Sequence, residues 1–112
     1  MTLSDKHILE ALKSKDIQIK PFNKDCMQPA SYDLHLDKHF LVFDTNKHAV
    51  IDPKKPIDGM MKEVQIRGDE PFVLHPGQFA LGLIFEETGV SESYVGRLEG
   101  KSSVGRMGLL IH

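Results

Sequence analysis

Ser31-Tyr32-Asp33-Leu34-His35-Leu36 alternates polar and apolar side chains, with Tyr32, Leu34 and Leu36 on one side and Asp33 and His35 on the other. A half-buried strand has this period of two, because successive side chains point to opposite faces of a sheet. Upstream, Ile17 and Ile19 flank Gln18 in the same way. Further strands are expected at residues 40–43, 50–51, 63–66, 72–74, 78–85, 94–98 and 109–111, and Asp37-Lys38 reads as a turn. Pro53-Lys54-Lys55-Pro56, Asp58-Gly59, Arg67-Gly68-Asp69-Glu70-Pro71 and His75-Pro76-Gly77 supply the turn chemistry between them.

One segment near the start follows the helical period instead. Ser4 is placed to cap a helix running from Asp5 to about Ser14, and the Asp5 carboxylate suits the positive helix end. Leu3 and Ile8 have the spacing of a hydrophobic staple, and Ile8, Leu9, Ala11 and Leu12 form one apolar face. Many short strands with a single helix, and no alternation of strand with helix, predict an antiparallel barrel or jelly-roll sandwich rather than a doubly wound sheet. Residues 1–112 are expected to form one domain.

A chain of 112 residues with 40% hydrophobic content can bury a core, and its net charge of −2 leaves no basic excess for a nucleic-acid phosphate lattice. Cys26 stands alone, so no internal disulfide forms. The longest apolar run, Phe79-Ala80-Leu81-Gly82-Leu83-Ile84-Phe85, is far short of the roughly 20 residues a membrane helix needs. Met1-Thr2-Leu3-Ser4-Asp5 has no secretory pattern, and a cytoplasmic location is expected.

The richest chemistry lies in Gly100-Lys101-Ser102-Ser103-Val104-Gly105-Arg106-Met107-Gly108-Leu109-Leu110-Ile111-His112. Two cations, two adjacent hydroxyls and glycines that let main-chain N–H groups approach phosphate oxygens suit a polyanion. The chain is thus expected to end inside its own active site. The competing reading is a flexible loop whose charges keep it solvated; the apolar Leu109-Leu110-Ile111 after it, expected to be buried, favours the anion site. A Walker loop is excluded because three residues, not four, separate Gly96 from Gly100, and Gly105 and Gly108 argue against a helix after Lys101.

Among the six histidines, His35 and His39 are four apart, too far along a strand to chelate one ion easily. The zinc-deaminase signature with its Cys-x-x-Cys is absent. Within Gln28-Pro29-Ala30-Ser31-Tyr32-Asp33-Leu34, Ser31 and Asp33 are expected to satisfy local backbone donors and Tyr32 to join the core. Glu86, Glu87 and Glu92 read as solvated turn carboxylates.

Taken in order, these segments resemble the dCTP deaminase family, part of the trimeric dUTPase-like superfamily. The resemblance is carried by Leu3-Ser4-Asp5, Ile19-Lys20-Pro21-Phe22, the Gln28 to Leu34 segment, and Leu74-His75-Pro76-Gly77-Gln78-Phe79-Ala80-Leu81. Its most specific part is Glu99-Gly100-Lys101-Ser102-Ser103-Val104-Gly105-Arg106-Met107-Gly108-Leu109, followed by His112.

The resemblance implies a distorted β jelly roll of the dUTPase-like, β-clip kind with one N-terminal helix, of which residues 1–112 form the N-terminal and central portion. It also implies a cytoplasmic homotrimer in nucleotide metabolism, a hydrolase that converts dCTP to dUTP and ammonia without zinc, with magnesium accompanying the triphosphate. Lys101, Ser102, Ser103, Val104, Gly105, Arg106 and His112 are the implied nucleotide-binding residues, with Ser102 and Arg106 bordering the reacting base and its attacking water. The family's proton-shuttling glutamate would lie past His112, so the chain is expected to be truncated. The alternatives are a bifunctional enzyme that goes on to dUMP, with dUTP or dTTP as further ligands, and a non-catalytic nucleotide-binding or interaction module.

Overall fold

The elements follow one another as α1 (Asp5–Ser14), β1 (Ile17–Lys20), a 3-10 turn (Lys24–Cys26), β2 (Met27–Gln28), β3 (Ser31–Tyr32), β4 (Leu36–Phe43), β5 (Met61–Gln65), β6 (Ala80–Ile84), β7 (Glu87–Val90) and α2 (Ser102–Gly105). This computed structural model describes residues 1–112. It is mainly β with one long helix, as the many short strand segments predicted, but the alternating Tyr32 to Leu36 stretch is not one strand: residues 33–35 lie between β3 and β4, and Leu36 is exposed. Contacts gather the chain into two units, residues 1–33 with 87–112, and residues 34–86.

In the first unit, α1 begins where Ser4 turns extended and its hydroxyl accepts the His7 N–H at 3.4 Å. It ends at Lys15, whose left-handed backbone returns an N–H to the Leu12 carbonyl. Ile8 and Ala11 on the predicted apolar face are buried. The Asp5 N–H donates to the Pro29 carbonyl at 2.9 Å, tying the helix start to the hairpin of β2 and β3. β1 pairs antiparallel with β7, Ile17 opposite Val90 and Lys20 opposite Glu87. Asp16 precedes this pair, and its carboxyl is held below its ordinary value by hydrogen bonds from the Ser14 and Ser91 hydroxyls.

The second unit is a three-stranded antiparallel sheet ordered β5, β4, β6. Phe40 is buried at its centre and stacks on Phe72 with ring centroids 4.0 Å apart. Asp37 and Lys38 lie inside β4, not at a turn. The register against β6 slips between Leu36, opposite Ile84, and Phe40, opposite Gly82. The irregularity absorbs the polar pair without ending the strand.

Four predicted strands are absent: residues 50–51, 72–74, 94–98 and 109–111 pair with no neighbour. Short apolar runs become strands only where another strand supplies main-chain partners. Leu109, Leu110 and Ile111 are exposed rather than buried. Conversely, β7 forms in place of the turn carboxylate expected at Glu87, because β1 offers it a complete ladder. No helix is long and apolar enough to cross a membrane.

Candidate functional site

Residues 101–109 form one compact turn. Lys101 is extended and α2 starts behind it, with the Lys101 carbonyl accepting from Val104 at 3.1 Å and Gly105 at 2.9 Å. Arg106 donates its N–H to Ser102 at 2.9 Å. The helical turn contradicts the expectation that two glycines forbid one: Gly105 is its last residue and Gly108 lies beyond it, where glycine ends a helix instead of breaking it. Gly108 adopts φ +86°, and paired bonds from Leu109 N–H to Val104 (3.4 Å) and Gly108 N–H to Gly105 (3.0 Å) complete a Schellman cap.

The amides of Val104, Gly105, Arg106 and Gly108 are therefore engaged inside the turn and do not face a ligand, which corrects the glycine-cradle picture. The Ser102 and Ser103 N–H groups make no main-chain bond, as first-turn amides do not. With their hydroxyls, they are the short donors left for an anion. Lys101, Ser102, Ser103 and Arg106 are exposed, Val104 and Gly105 half-buried. Arg106 makes no ion pair. Ile111 packs so close to Gly100 that a Cβ there would lie 3.2 Å from the Ile111 Cβ, which closes the base of the turn and sets exposed His112 directly after it.

Asp33 joins this turn from 68 residues away. Its Oδ2 accepts the Lys101 ammonium at 2.5 Å and the Gln28 side-chain amide at 2.9 Å, and its N–H donates to the Cys26 carbonyl at 2.8 Å. The carboxylate thus serves two side chains and not the local backbone donors expected of it. No spacing in the sequence points to Lys101. Tyr32 is half-buried, stacked on Phe22, and its hydroxyl accepts the Asn23 N–H at 2.9 Å. Glu99 pairs with Arg97 at 3.6 Å and is exposed.

In the second unit, Glu86 is buried rather than solvated, its side chain 2% exposed. It accepts the His35 N–H at 2.9 Å and faces the His35 Nδ1 at 2.5 Å. Burial pushes the Glu86 carboxyl up, but the hydrogen bonds from His35 and from its own main chain, with the charge of His35, hold it below its ordinary value. His39 meets Glu63 at 3.0 Å. Both histidines of the spaced pair thus face carboxylates, and no three His, Cys, Asp or Glu side chains cluster as metal ligands.

The fold and the turn define a mainly β chain of dUTPase-like architecture with an exposed cation and hydroxyl cluster after its last strand. It belongs to the dCTP deaminase-like family, whose sequence model matches residues 2–112. Similar curated proteins include the "dCTP deaminase, dUMP-forming" of Corynebacterium jeikeium (strain K411), 46% identical over all 112 residues and 60% of that protein. Those of Tropheryma whipplei (strain Twist) and Thermobifida fusca (strain YX) bear the same name, at 46% and 42% identity over the whole chain and 57% of each relative. The chain thus spans under two thirds of the length of these relatives.

Their shared name overturns the expectation of a reaction that stops at dUTP. The residues expected to hold phosphate at 101–106 would serve a triphosphate through either outcome, so they could not separate the two.

Proposed function

We propose that the chain carries the phosphate-holding portion of a dUMP-forming dCTP deaminase, in which dCTP and two waters give dUMP, pyrophosphate and ammonia. Lys101 and Arg106 supply charge to the phosphates, and the Ser102 and Ser103 hydroxyls and amides supply short hydrogen bonds. Ser102 and Arg106 also border the base, where a water adds to cytosine C4 and ammonia leaves. A second water then attacks the α-phosphorus and expels pyrophosphate. Val104 and Gly105 form the half-buried floor of the turn, and His112 helps to shape the base pocket.

Addition of water to C4 needs a carboxylate to carry protons between the water, the ring and the leaving amine. Glu99, already paired with Arg97, is given no part in it. Magnesium enters as part of the substrate: it prefers phosphate oxygens and retained waters to a protein cage, and Asp33 and Glu99 are both engaged in ion pairs.

One observation carries this reading: the four polar side chains nominated for phosphate lie exposed on a single capped turn, in a chain aligned throughout with dUMP-forming relatives. A cytoplasmic homotrimer belongs to the same proposal, and exposed Val95, Leu98, Met107 and Leu110 are the kind of side chains a partner copy covers. The test is to incubate the complete gene product with dCTP and magnesium and follow products by chromatography. Equal yields of dUMP, pyrophosphate and ammonia are expected; dCTP binding without turnover, or dUTP as the end product, would sink the proposal.

A further inference from the structure

We propose that Asp33 is the positioning residue for Lys101, a hairpin-borne carboxylate that holds the ammonium at the head of the 101–106 turn, where a triphosphate meets it already in place. The inference rests on the reading of that turn as a phosphate site.

A lysine on an exposed turn is poorly placed by itself, since its four-carbon stem carries about 2 kcal/mol of rotamer entropy. The Lys101 side chain makes no capping bond to α2 and is 59% exposed. Its one fixed partner is Asp33 Oδ2, at 2.5 Å. Asp33 is itself anchored twice, by its N–H to Cys26 and by the Gln28 amide on the same oxygen. It follows β3 directly, and its side chain is only 25% exposed. The carboxylate is therefore the post and the lysine the arm.

An ammonium has three donors, so Lys101 can keep Asp33 and still offer two hydrogens to phosphate oxygens. The pair need not break for a nucleotide to bind. A carboxylate that served only as a stand-in for phosphate would compete with the ligand, and its removal would tighten binding. A positioning carboxylate predicts the reverse sign.

The complete gene product and its D33N, D33E, K101M and D33N/K101M variants are titrated with dCTP by calorimetry, with deoxycytidine as the phosphate-free competitor. D33N is expected to weaken dCTP about fivefold, the scale of one partly exposed ion pair, with KM raised and kcat held. Deoxycytidine affinity stays unchanged, D33E restores most of the loss, and D33N adds nothing once Lys101 is Met. Unchanged or tighter dCTP binding by D33N, or an equal loss for deoxycytidine, overturns the assignment. K101M that leaves dCTP affinity untouched overturns the phosphate reading beneath it; K101M that weakens dCTP while D33N does not overturns the positioning role alone.

Discussion

Two carboxylates, Asp33 in the first unit and Glu86 in the second, each meet a basic side chain, and their surroundings give them different work. Glu86 is sealed, with His35 covering it through ring and main chain, both partners inside one unit. Asp33 is a quarter exposed and holds a lysine that reaches into solvent. A buried, satisfied carboxylate commits its hydrogen bonds to the fold, and removing it strands its donors. A partly open one beside a long cation has little to give stability and leaves donors free for a ligand. Ion pairing alone therefore does not separate the two carboxylates; burial and the donors left free on the partner do.

The contrast is broken most directly at Glu86. Glu86→Ala is expected to destabilise the protein by about 2 kcal/mol in urea denaturation, because the part-buried His35 N–H loses its acceptor and the buried carboxylate leaves a gap. Glu86→Gln, which keeps an acceptor, should cost clearly less. Since the folded carboxyl titrates below its ordinary value, its contribution is fully present above the ordinary carboxylate range and fades as pH falls through the lowered value. Urea midpoints measured down the acid limb should fall less steeply for Glu86→Gln than for the parent protein.

Arg106→Ala sharpens the other side. With no ion pair in the fold to lose, it should leave stability in urea within about 0.5 kcal/mol of the parent. On the proposed reading, the complete gene product carrying it should lose about 100-fold in kcat/KM for dCTP, as when a charge-stabilising donor is removed from an active site. A variant that lost stability instead would place Arg106 with Glu86 as a structural residue.

The smallest effect is expected at the cap of the turn. Gly108 has φ +86° and open space where a Cβ would stand, so Gly108→Ala meets backbone strain and no clash. A loss of about 1 kcal/mol is expected by denaturation. A stabilised variant would show that the turn does not need its left-handed cap.

Much of this was legible in the chain. Ser4, Asp5 and the apolar face of α1 declared the helix, and the alternation at Ile17 and Ile19 with the apolar runs at 40–43 and 78–85 pointed to three strands. The cation and hydroxyl cluster at 101–106 was visible as a group because its members are neighbours in sequence. Val50-Ile51 and Leu109-Leu110-Ile111 misled for a common reason: an apolar run shows what a strand could bury, and says nothing about whether another strand arrives to pair with it. Glu86 misled because a glutamate's burial depends on a histidine 51 residues away.

The sequence by itself determined the local states, since capping, period and turn residues act within a few positions along the chain. It also carried the family, through motifs kept in order. Only the tertiary structure decided that Glu86 is buried under His35, that β7 completes β1, and that Asp33 holds Lys101. Those are contacts between residues far apart in sequence, and their energies depend on burial and approach, which no local pattern of side chains encodes.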